Sequence, residues 1–156
     1  MTDNKLSPSF SSLVEWFSSK EKEPTDWRIG TEHEKFIFSL DRLSPVAYHG
    51  DSGIEAILYY LSKTYDMTPA REQEKIIALK TKDGASISLE PGGQFELSGN
   101  IVKTIHHSCV ETNKHMEQML DVTAKLGLGM LGSGFHPTAA RADINWMPKG
   151  RYKIMR

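Results

Sequence analysis

The stretch ISLEPGGQFELS, residues 87–98, decides the fold prediction for this chain. Apolar and polar residues alternate on both sides of its Pro-Gly-Gly segment, and a period of two is typical of a β-strand with one apolar face. With a three-residue loop, Leu89 lies opposite Phe95 and Ile87 lies opposite Leu97, so all four apolar side chains share a face. A two-residue loop would mix the faces. The stretch therefore predicts a β-hairpin in which a glycine supplies the left-handed loop residue.

The polar face of this hairpin carries Glu90 and Glu96, and neither strand has a lysine or arginine to balance them. Their mutual repulsion predicts that a cation lies between them. A second pair, Glu32 and Glu34, projects from one face of a strand predicted over RIGTEHEKFIF, residues 28–38. Hard divalent cations such as Mg²⁺ are held by a few carboxylates plus substrate phosphates. The four glutamates are therefore a candidate Mg²⁺ site if the strands share a sheet. The alternative is that they are solvated glutamates on an outer face.

The composition indicates one globular domain and excludes several kinds of partner. The chain has 156 residues, with 19 basic against 20 acidic residues and a net charge of −1. It has no polybasic run, so neither nucleic acid nor a membrane surface is an expected partner. There is no apolar run of membrane-spanning length, no visible signal peptide, and one cysteine, Cys109, which excludes an internal disulfide. We therefore expect a cytoplasmic protein.

Periodicity and capping signals predict the other elements. Helices are expected over about 9–19, 53–63 and 101–126, and strands over 75–80 and 128–135, with 67–70 as a connector. The expected N-caps are Ser52 and Asn100, and Gly127 is the expected residue after the last helix. The pattern indicates an α+β fold with helices on one face of an antiparallel sheet. Residues 1–26 form an N-terminal helix and linker, and 27–156 form the main unit.

On the longest predicted helix, Cys109 falls on the apolar stripe and is expected to be a buried structural thiol. The three histidines of that helix are expected at the surface: His106, His107 and His115. The segment MPKGRY, residues 147–152, offers Arg151 as a bidentate partner for a carboxylate or phosphate and Lys149 as a point charge. The alternative is an ordinary basic surface turn.

Three segments together resemble the plant and proteobacterial type of glutamate–cysteine ligase. They are GTEHEKF at 30–36, GASISLEPGGQFELSG at 84–99 and MPKGRY at 147–152, and the resemblance runs from about Trp27 onward. It implies a curved antiparallel sheet like that of glutamine synthetase. Members of this family are much longer than this chain, so the resemblance also implies that the sheet is incomplete here and that a further C-terminal region of the same enzyme takes part. Activity of the 156 residues alone does not follow.

The same resemblance implies ATP-dependent joining of the γ-carboxylate of L-glutamate to L-cysteine through a γ-glutamyl phosphate, the first step of glutathione biosynthesis. It implies Mg²⁺ and ATP, with the following roles: Mg²⁺ binding by Glu32, Glu34, Glu90 and Glu96, cofactor binding by Lys149 and Gln94, and catalysis by Arg151. One alternative is a non-catalytic domain that binds a metal or another ligand. Another is a related carboxylate–amine ligase with a different amine acceptor.

Overall fold

A computed structural model describes residues 7–155 of the chain. The helices are α1 (Phe10–Ser18), α2 (Ile54–Thr64), α3 (Ile105–Leu126) and α4 (Tyr152–Met155), with short 3-10 turns at Pro24–Asp26 and Arg141–Asp143. The strands are β1 (Glu32–Ser39), β2 (Thr68–Glu72), β3 (Lys75–Lys80), β4 (Ser86–Leu89), β5 (Phe95–Ser98) and β6 (Leu128–Leu131). Within this range, no helix combines the length and the hydropathy needed to cross a membrane.

The six strands form one sheet in the order β2-β3-β4-β5-β1-β6, and every neighbouring pair is antiparallel. Strand β1 is shared between two partners, because its first half pairs with β5 and its second half pairs with β6. The predicted hairpin is confirmed: Leu89 lies opposite Phe95 and Ile87 lies opposite Leu97. Gly93 supplies the left-handed residue, with a φ of 88°. The loop length inferred from the alternation is therefore correct.

One face of the sheet is covered by α2 and α3, and the hydrophobic core lies between the sheet and these two helices. The core is built from both layers: Ile37, Leu79, Ile87, Leu89 and Phe95 from the sheet, and Ile57, Leu58, Leu61, Met119 and Val122 from the helices. The α+β fold with helices on one face is confirmed. Helix α1 has no buried residue, and the division into residues 1–26 and 27–156 stays a prediction.

The helices occur where they were expected, but two of the predicted N-caps are wrong. Helix α2 is capped by Gly53. Glycine suits this position, because a Cβ there would meet the carbonyl oxygen of His49 at 2.6 Å. Ser52 instead donates a hydrogen bond to the carbonyl of Leu126, on α3. Helix α3 starts after Thr104, whose hydroxyl accepts from the backbone N–H of the first turn. Gly127 ends α3 in the left-handed region as predicted, with a φ of 67°.

The expected apolar stripe of α3 is also wrong, because the helix presents a largely polar face to the sheet. Its buried residues are Ser108, His115, Gln118, Met119, Val122 and Thr123. Cys109 is exposed, so it is not a buried structural thiol. His115 is buried at 2% exposure, whereas His106 and His107 are exposed as expected. A polar partner on β1, described below, keeps His115 inside.

Two strand predictions also need correction. The supposed connector at 67–70 mostly belongs to β2, which adds a strand to the edge of the meander through its pairing with β3. The strand expected over 128–135 begins at Leu128, opposite Ser39 at the end of β1, but ends at Leu131, opposite Phe36. The meander at 75–98 is confirmed, with β3, β4 and β5 paired in sequence order.

Candidate active site

The strand register brings three of the predicted carboxylates to one face of the sheet. Glu34 lies directly opposite Glu96 across β1 and β5, and Ser88 of β4 lies opposite Glu96 on the other side. Residues opposite each other in antiparallel strands share a face. Glu90 follows β4 and completes the cluster, since its carboxyl group is hydrogen-bonded to that of Glu96. This acidic surface, defined by Glu34, Glu90 and Glu96, faces away from α2 and α3.

The electrostatics of the acidic surface confirm that these carboxylates interact. Burial raises the pKa of Glu90 above its ordinary value, and the hydrogen bond and negative charge of Glu96 add to the effect, as does the charge of Glu34. The hydroxyl of Ser98 donates to Glu96 Oε1 at 2.6 Å, which fixes one oxygen of that side chain. Burial is the larger cause of the raised pKa, and the neighbouring carboxylates add to it.

Glu32 lies one position further along the same face. It pairs with Ser98 rather than with another acid, and its side chain is exposed. A shallow cleft beside it is lined by Gly30, Thr31, Ser98 and Gly99. The structure therefore brings Glu34, Glu90 and Glu96 together and places Glu32 at the edge of the group.

The MPKGRY segment docks on the Pro-Gly-Gly turn beside the acidic surface. The backbone N–H of Met147 donates to the carbonyl of Pro91 at 3.0 Å. The side chain of Met147 packs over Gly93, where a Cβ would come within 3.2 Å of its terminal methyl. Gly150 N–H donates to Glu72 Oε2 at 2.7 Å and ties the segment to β2. These contacts place the two predicted basic residues of the segment next to β4.

Lys149 is more deeply buried than Arg151. Its side chain is 8% exposed, and its ammonium donates to the carbonyl oxygen of Leu89 at 2.6 Å. Burial lowers the pKa of Lys149, the charge of Arg151 lowers it further, and the negative charges of Glu90 and Glu96 oppose both effects. The charge of Lys149 therefore acts on Glu90 and Glu96, although none of the ion pairs among residues 7–155 joins it to either glutamate.

Arg151 is exposed and lies over the ring of Tyr152, with 5.1 Å between the guanidinium carbon and the ring centroid. The hydroxyl of Tyr152 in turn donates to Leu89 O, so the ring that contacts the guanidinium is held in place. The side chain of Gln94 folds over the turn, so that a Cβ on Gly92 would meet its Oε1 at 2.8 Å. This oxygen is buried and has no hydrogen-bond partner in the part of the chain that the structure describes. The guanidinium and the amide both border the acidic surface.

The donor set suits a hard divalent cation in its chemistry, because carboxylate oxygens are the ligands that Mg²⁺ prefers. The negative charges of Glu96 and Glu34 contribute, after burial, to the raised pKa of Glu90, and a cation bound there would offset them. In residues 7–155, however, no group of three or more acidic, histidine or cysteine side chains is arranged so that it could hold a metal ion. The surface therefore offers only some of the oxygen ligands that Mg²⁺ needs, and substrate phosphates and water would supply the others.

The opposite face of β1 holds a feature that the sequence analysis missed. Lys35 is 1% exposed, and its ammonium lies 2.8 Å from His115 Nε2 and 3.2 Å from the carbonyl oxygen of His33. No carboxylate of the described residues lies within ion-pair distance of it. Burial lowers the pKa of Lys35 to about 8, and burial together with the positive charge of Lys35 lowers that of His115 to about 3. Strand parity was the available signal, since Lys35 alternates with the glutamates.

The sequence comparisons identify the family of the chain. Residues 28–156 match the sequence model of a family described as Glutamate-cysteine ligase family 2 (GCS2). The chain belongs to this family. Over 144 residues, which are 92% of the chain, it is 48% identical to glutamate–cysteine ligase A, chloroplastic, of Oryza sativa subsp. japonica. Over the same length it is 46% identical to glutamate–cysteine ligase, chloroplastic, of Medicago truncatula and 45% identical to that of Arabidopsis thaliana.

The family membership confirms the resemblance inferred from the three segments, and its start at residue 28 agrees with the expected start near Trp27. The chain spans only 28% of the length of the rice and Medicago ligases and 27% of the Arabidopsis ligase. The roles of individual residues in this family member are not tested by these matches, so the predicted site residues stay predictions.

Proposed function

We propose that the protein carrying this chain is an ATP-dependent ligase that joins the γ-carboxylate of L-glutamate to the amine of L-cysteine, the first step of glutathione biosynthesis. The main support is the acidic surface of Glu34, Glu90 and Glu96 with Lys149 and Arg151 beside it. Membership in glutamate–cysteine ligase family 2 gives independent support. A surface that combines carboxylates with two basic side chains suits a nucleotide and its divalent cation.

The reaction needs activation of a carboxylate. A carboxylate is a poor electrophile, so its oxygen first attacks the γ-phosphorus of ATP, which gives an acyl phosphate and releases ADP. The amine nitrogen of cysteine then attacks the carbonyl carbon of this acyl phosphate, the bond from that carbon to the phosphate oxygen breaks, and the amine loses a proton. Both steps depend on holding anionic groups in line and on offsetting the charge of their oxygens.

The residues of the site divide these tasks. Arg151, supported by the ring of Tyr152, binds an anionic group of a substrate in a bidentate grip. Lys149 adds a positive charge at the floor of the surface, and the unpartnered Oε1 of Gln94 accepts a hydrogen bond from a bound group. Glu34, Glu90 and Glu96, with Glu32 at the edge, would hold Mg²⁺. Such an ion neutralises phosphate oxygens during phosphoryl transfer.

The predicted cytoplasmic location is a separate proposal, and it rests on the single cysteine of the chain. The three relatives are named as chloroplastic, so their names do not support it. Fractionation of the source cells, followed by detection of the protein in the soluble or the organelle fraction, distinguishes the two locations.

The test of the ligase is ADP formation by the complete gene product. With Mg²⁺ and ATP, we expect ADP only when glutamate and cysteine are both present, together with a γ-glutamyl dipeptide identified by its mass. ADP formed equally well without cysteine but with another amine would indicate a related ligase with a different acceptor. Binding of Mg²⁺ without turnover under any combination would indicate a non-catalytic domain and contradict the proposal.

The residue-level test is Glu90→Gln, which removes a charge but keeps the shape of the side chain. We expect a loss of Mg²⁺-dependent turnover of about 100-fold or more, since even residues one step removed from a metal contribute roughly 10- to 100-fold. Glu117→Gln, at an exposed position on α3, is the matched control and should keep full turnover. Near-normal turnover in Glu90→Gln would show that this glutamate is structural.

A further inference from the structure

A small apolar cavity opens on the same face of β1 as the acidic surface. Glu34, Phe36 and Phe38 alternate along the strand and therefore share that face. The cavity has a volume of about 160 Å³, and it is closed by Leu43, Leu131 and the segment His136–Thr138. Pockets that enclose a whole drug-sized molecule measure roughly 300–1,000 Å³. This one suits a single side chain or a group of similar size.

Specific contacts shape the cavity. Phe36 lies opposite Leu131, and Phe38 lies opposite Gly129, where a Cβ would meet the Phe38 ring at 2.4 Å. Only glycine lets this ring lie flat across β6. The hydroxyl of Thr138 donates to the carbonyl of Leu43 at 2.8 Å and joins the two loops that form the rim. The cavity is therefore built by the fold rather than left between mobile side chains.

His136, one of the lining residues, has a buried ring nitrogen without a partner among residues 7–155. The ring of His136 packs edge-on against Phe36, with 5.4 Å between centroids, and its Nε2 is buried and has no hydrogen-bond partner. Its Nδ1 accepts from the backbone N–H of Thr138 at 3.4 Å. The hydroxyl oxygen of Thr138 lies at the same distance from Nδ1. When Nδ1 accepts from the backbone N–H, which can only donate, the neutral ring carries its proton on Nε2. A buried N–H without an acceptor costs free energy until a ligand supplies one.

We infer that this cavity binds the side chain of the acceptor amino acid, with the Nε2–H of His136 directed at its sulfur. The inference rests on the proposed ligase function. Positions two residues apart on a strand are about 6.6 Å apart, so the cavity adjoins the acidic surface where the phosphoryl group would lie. The amine of the acceptor must reach that point. In cysteine, the carbon that bears the amine is bonded directly to the carbon that bears the thiol, so the thiol then lies close enough to enter the cavity. In ATP, the phosphate chain and the ribose separate the nucleobase from the phosphoryl group that is transferred. The nucleobase is therefore a less suitable occupant of a cavity that adjoins this group.

The lining also predicts the order of acceptors. L-Cysteine places an apolar, weakly accepting sulfur in the cavity. L-2-Aminobutyrate places a methyl group there and loses only the contact with His136. L-Serine would bury a hydroxyl among aromatic rings, which is unfavourable without a strong partner. We expect kcat/KM to fall in the order cysteine, 2-aminobutyrate, serine.

The deciding variant is Leu131→Trp, which fills the cavity from its rim. Leu131 is 39% exposed on an edge strand, so the larger side chain has room to enter without disturbing the core. In the complete gene product we expect the KM for cysteine to rise about 10-fold or more, since small changes in an apolar specificity pocket are worth roughly 10- to 200-fold. The KM values for glutamate and ATP should stay unchanged. Leu120→Trp, at a 56% exposed position on α3, is the matched control.

A second variant, His136→Phe, keeps a ring but removes the N–H donor. We expect it to lower the preference for cysteine over 2-aminobutyrate, while thermal melting checks that the variant is folded. Unchanged KM for cysteine in Leu131→Trp, or a rise in the KM for ATP instead, would overturn the inference. The second result would mean that the cavity holds part of the nucleotide.

A binding measurement separates this inference from the ligase proposal. Titration of the methyl-labelled chain with 2-aminobutyrate should shift the NMR signals of Leu43, Leu131 and Thr138 before those of Leu120. Absence of turnover in the unaltered protein would contradict the ligase proposal alone. Absence of shifts at the cavity at saturating 2-aminobutyrate, or shifts spread over the whole chain, would contradict the cavity assignment.

Discussion

The two faces of β1 carry charged residues of opposite sign, and these residues are neighbours in the sequence. On one face, Glu34 lies opposite Glu96 and near Glu90, and burial together with the charges of Glu96 and Glu34 raises the pKa of Glu90. On the other face, Lys35 is buried against His115, no carboxylate of residues 7–155 is within ion-pair distance of it, and burial lowers its pKa. The acidic face can be neutralised by a ligand from solution, whereas the buried face cannot. The difference indicates that binding belongs to the first face and structural support to the second.

The largest expected effect is on the supporting face. Phe95→Ala removes a fully buried ring from the core, directly beside Glu96. We expect a loss of about 3–5 kcal/mol in the free energy of unfolding, as is usual for buried Phe→Ala changes. Urea denaturation measures it. Phe135→Ala, at a 72% exposed position, is the control and should change stability by less than about 0.5 kcal/mol. Similar losses in both variants would contradict the layered core.

The second effect is a pH dependence from His115. Its pKa is about 3 in the folded protein and 6.5 in an unfolded chain. As the pH falls from 6.5 towards 3, the unfolded state therefore takes up a proton that the folded state excludes, and stability declines by up to about 4 kcal/mol. His115→Gln keeps an acceptor for Lys35 and should flatten this slope between pH 7 and 4. His106→Gln, at an exposed position, should keep the slope. An unchanged slope in His115→Gln would contradict the assignment.

A smaller effect is expected when the buried polar pair is replaced as a unit. The double variant Lys35→Met and His115→Leu removes a buried charge and its partner without leaving either alone. Replacing buried ionic groups by apolar ones of similar volume is often stabilising by about 1–4 kcal/mol, and we expect a gain at the low end of that range at pH 7. Chemical denaturation of the double variant beside Lys80→Met, at an exposed position on β3, tests it. A clear loss of stability would mean that the pair holds β1 in place.

The smallest effect belongs to the acidic face. Glu96→Gln removes one of the interacting charges, so in the absence of Mg²⁺ we expect the protein to gain about 0.5 kcal/mol, a typical value for exposed like-charge contacts. The melting temperature in a metal-free buffer measures the gain, with Glu21→Gln, at an exposed position outside the sheet, as the control. A loss in Glu96→Gln would show that its hydrogen bonds to Ser98 and Glu90 outweigh the repulsion.

The sequence was sufficient for the hairpin and the acidic face, because alternation and loop length are local and parity then fixes which residues share a face. It was insufficient for α3. The buried state of His115 depends on Lys35, 80 positions away, and that contact leaves no local pattern. Cys109 was misplaced because the buried face of α3 passes through Ser108, one position earlier, and this face is polar there. The apolar cavity was within reach, since Phe36 and Phe38 continue the parity of Glu32 and Glu34.

Paramagnetic relaxation by Mn²⁺, used in place of Mg²⁺, offers a decisive check on the acidic face. In NMR spectra of the labelled chain with ATP, Mn²⁺ should broaden the amide signals of Glu34, Glu90 and Glu96 first, and those of Met119 and Val122, on the far side of the sheet, last. The double variant Glu34→Gln and Glu96→Gln should lose this pattern. Broadening centred away from β1, β4 and β5, or an identical pattern in the double variant, would show that these glutamates do not bind the metal.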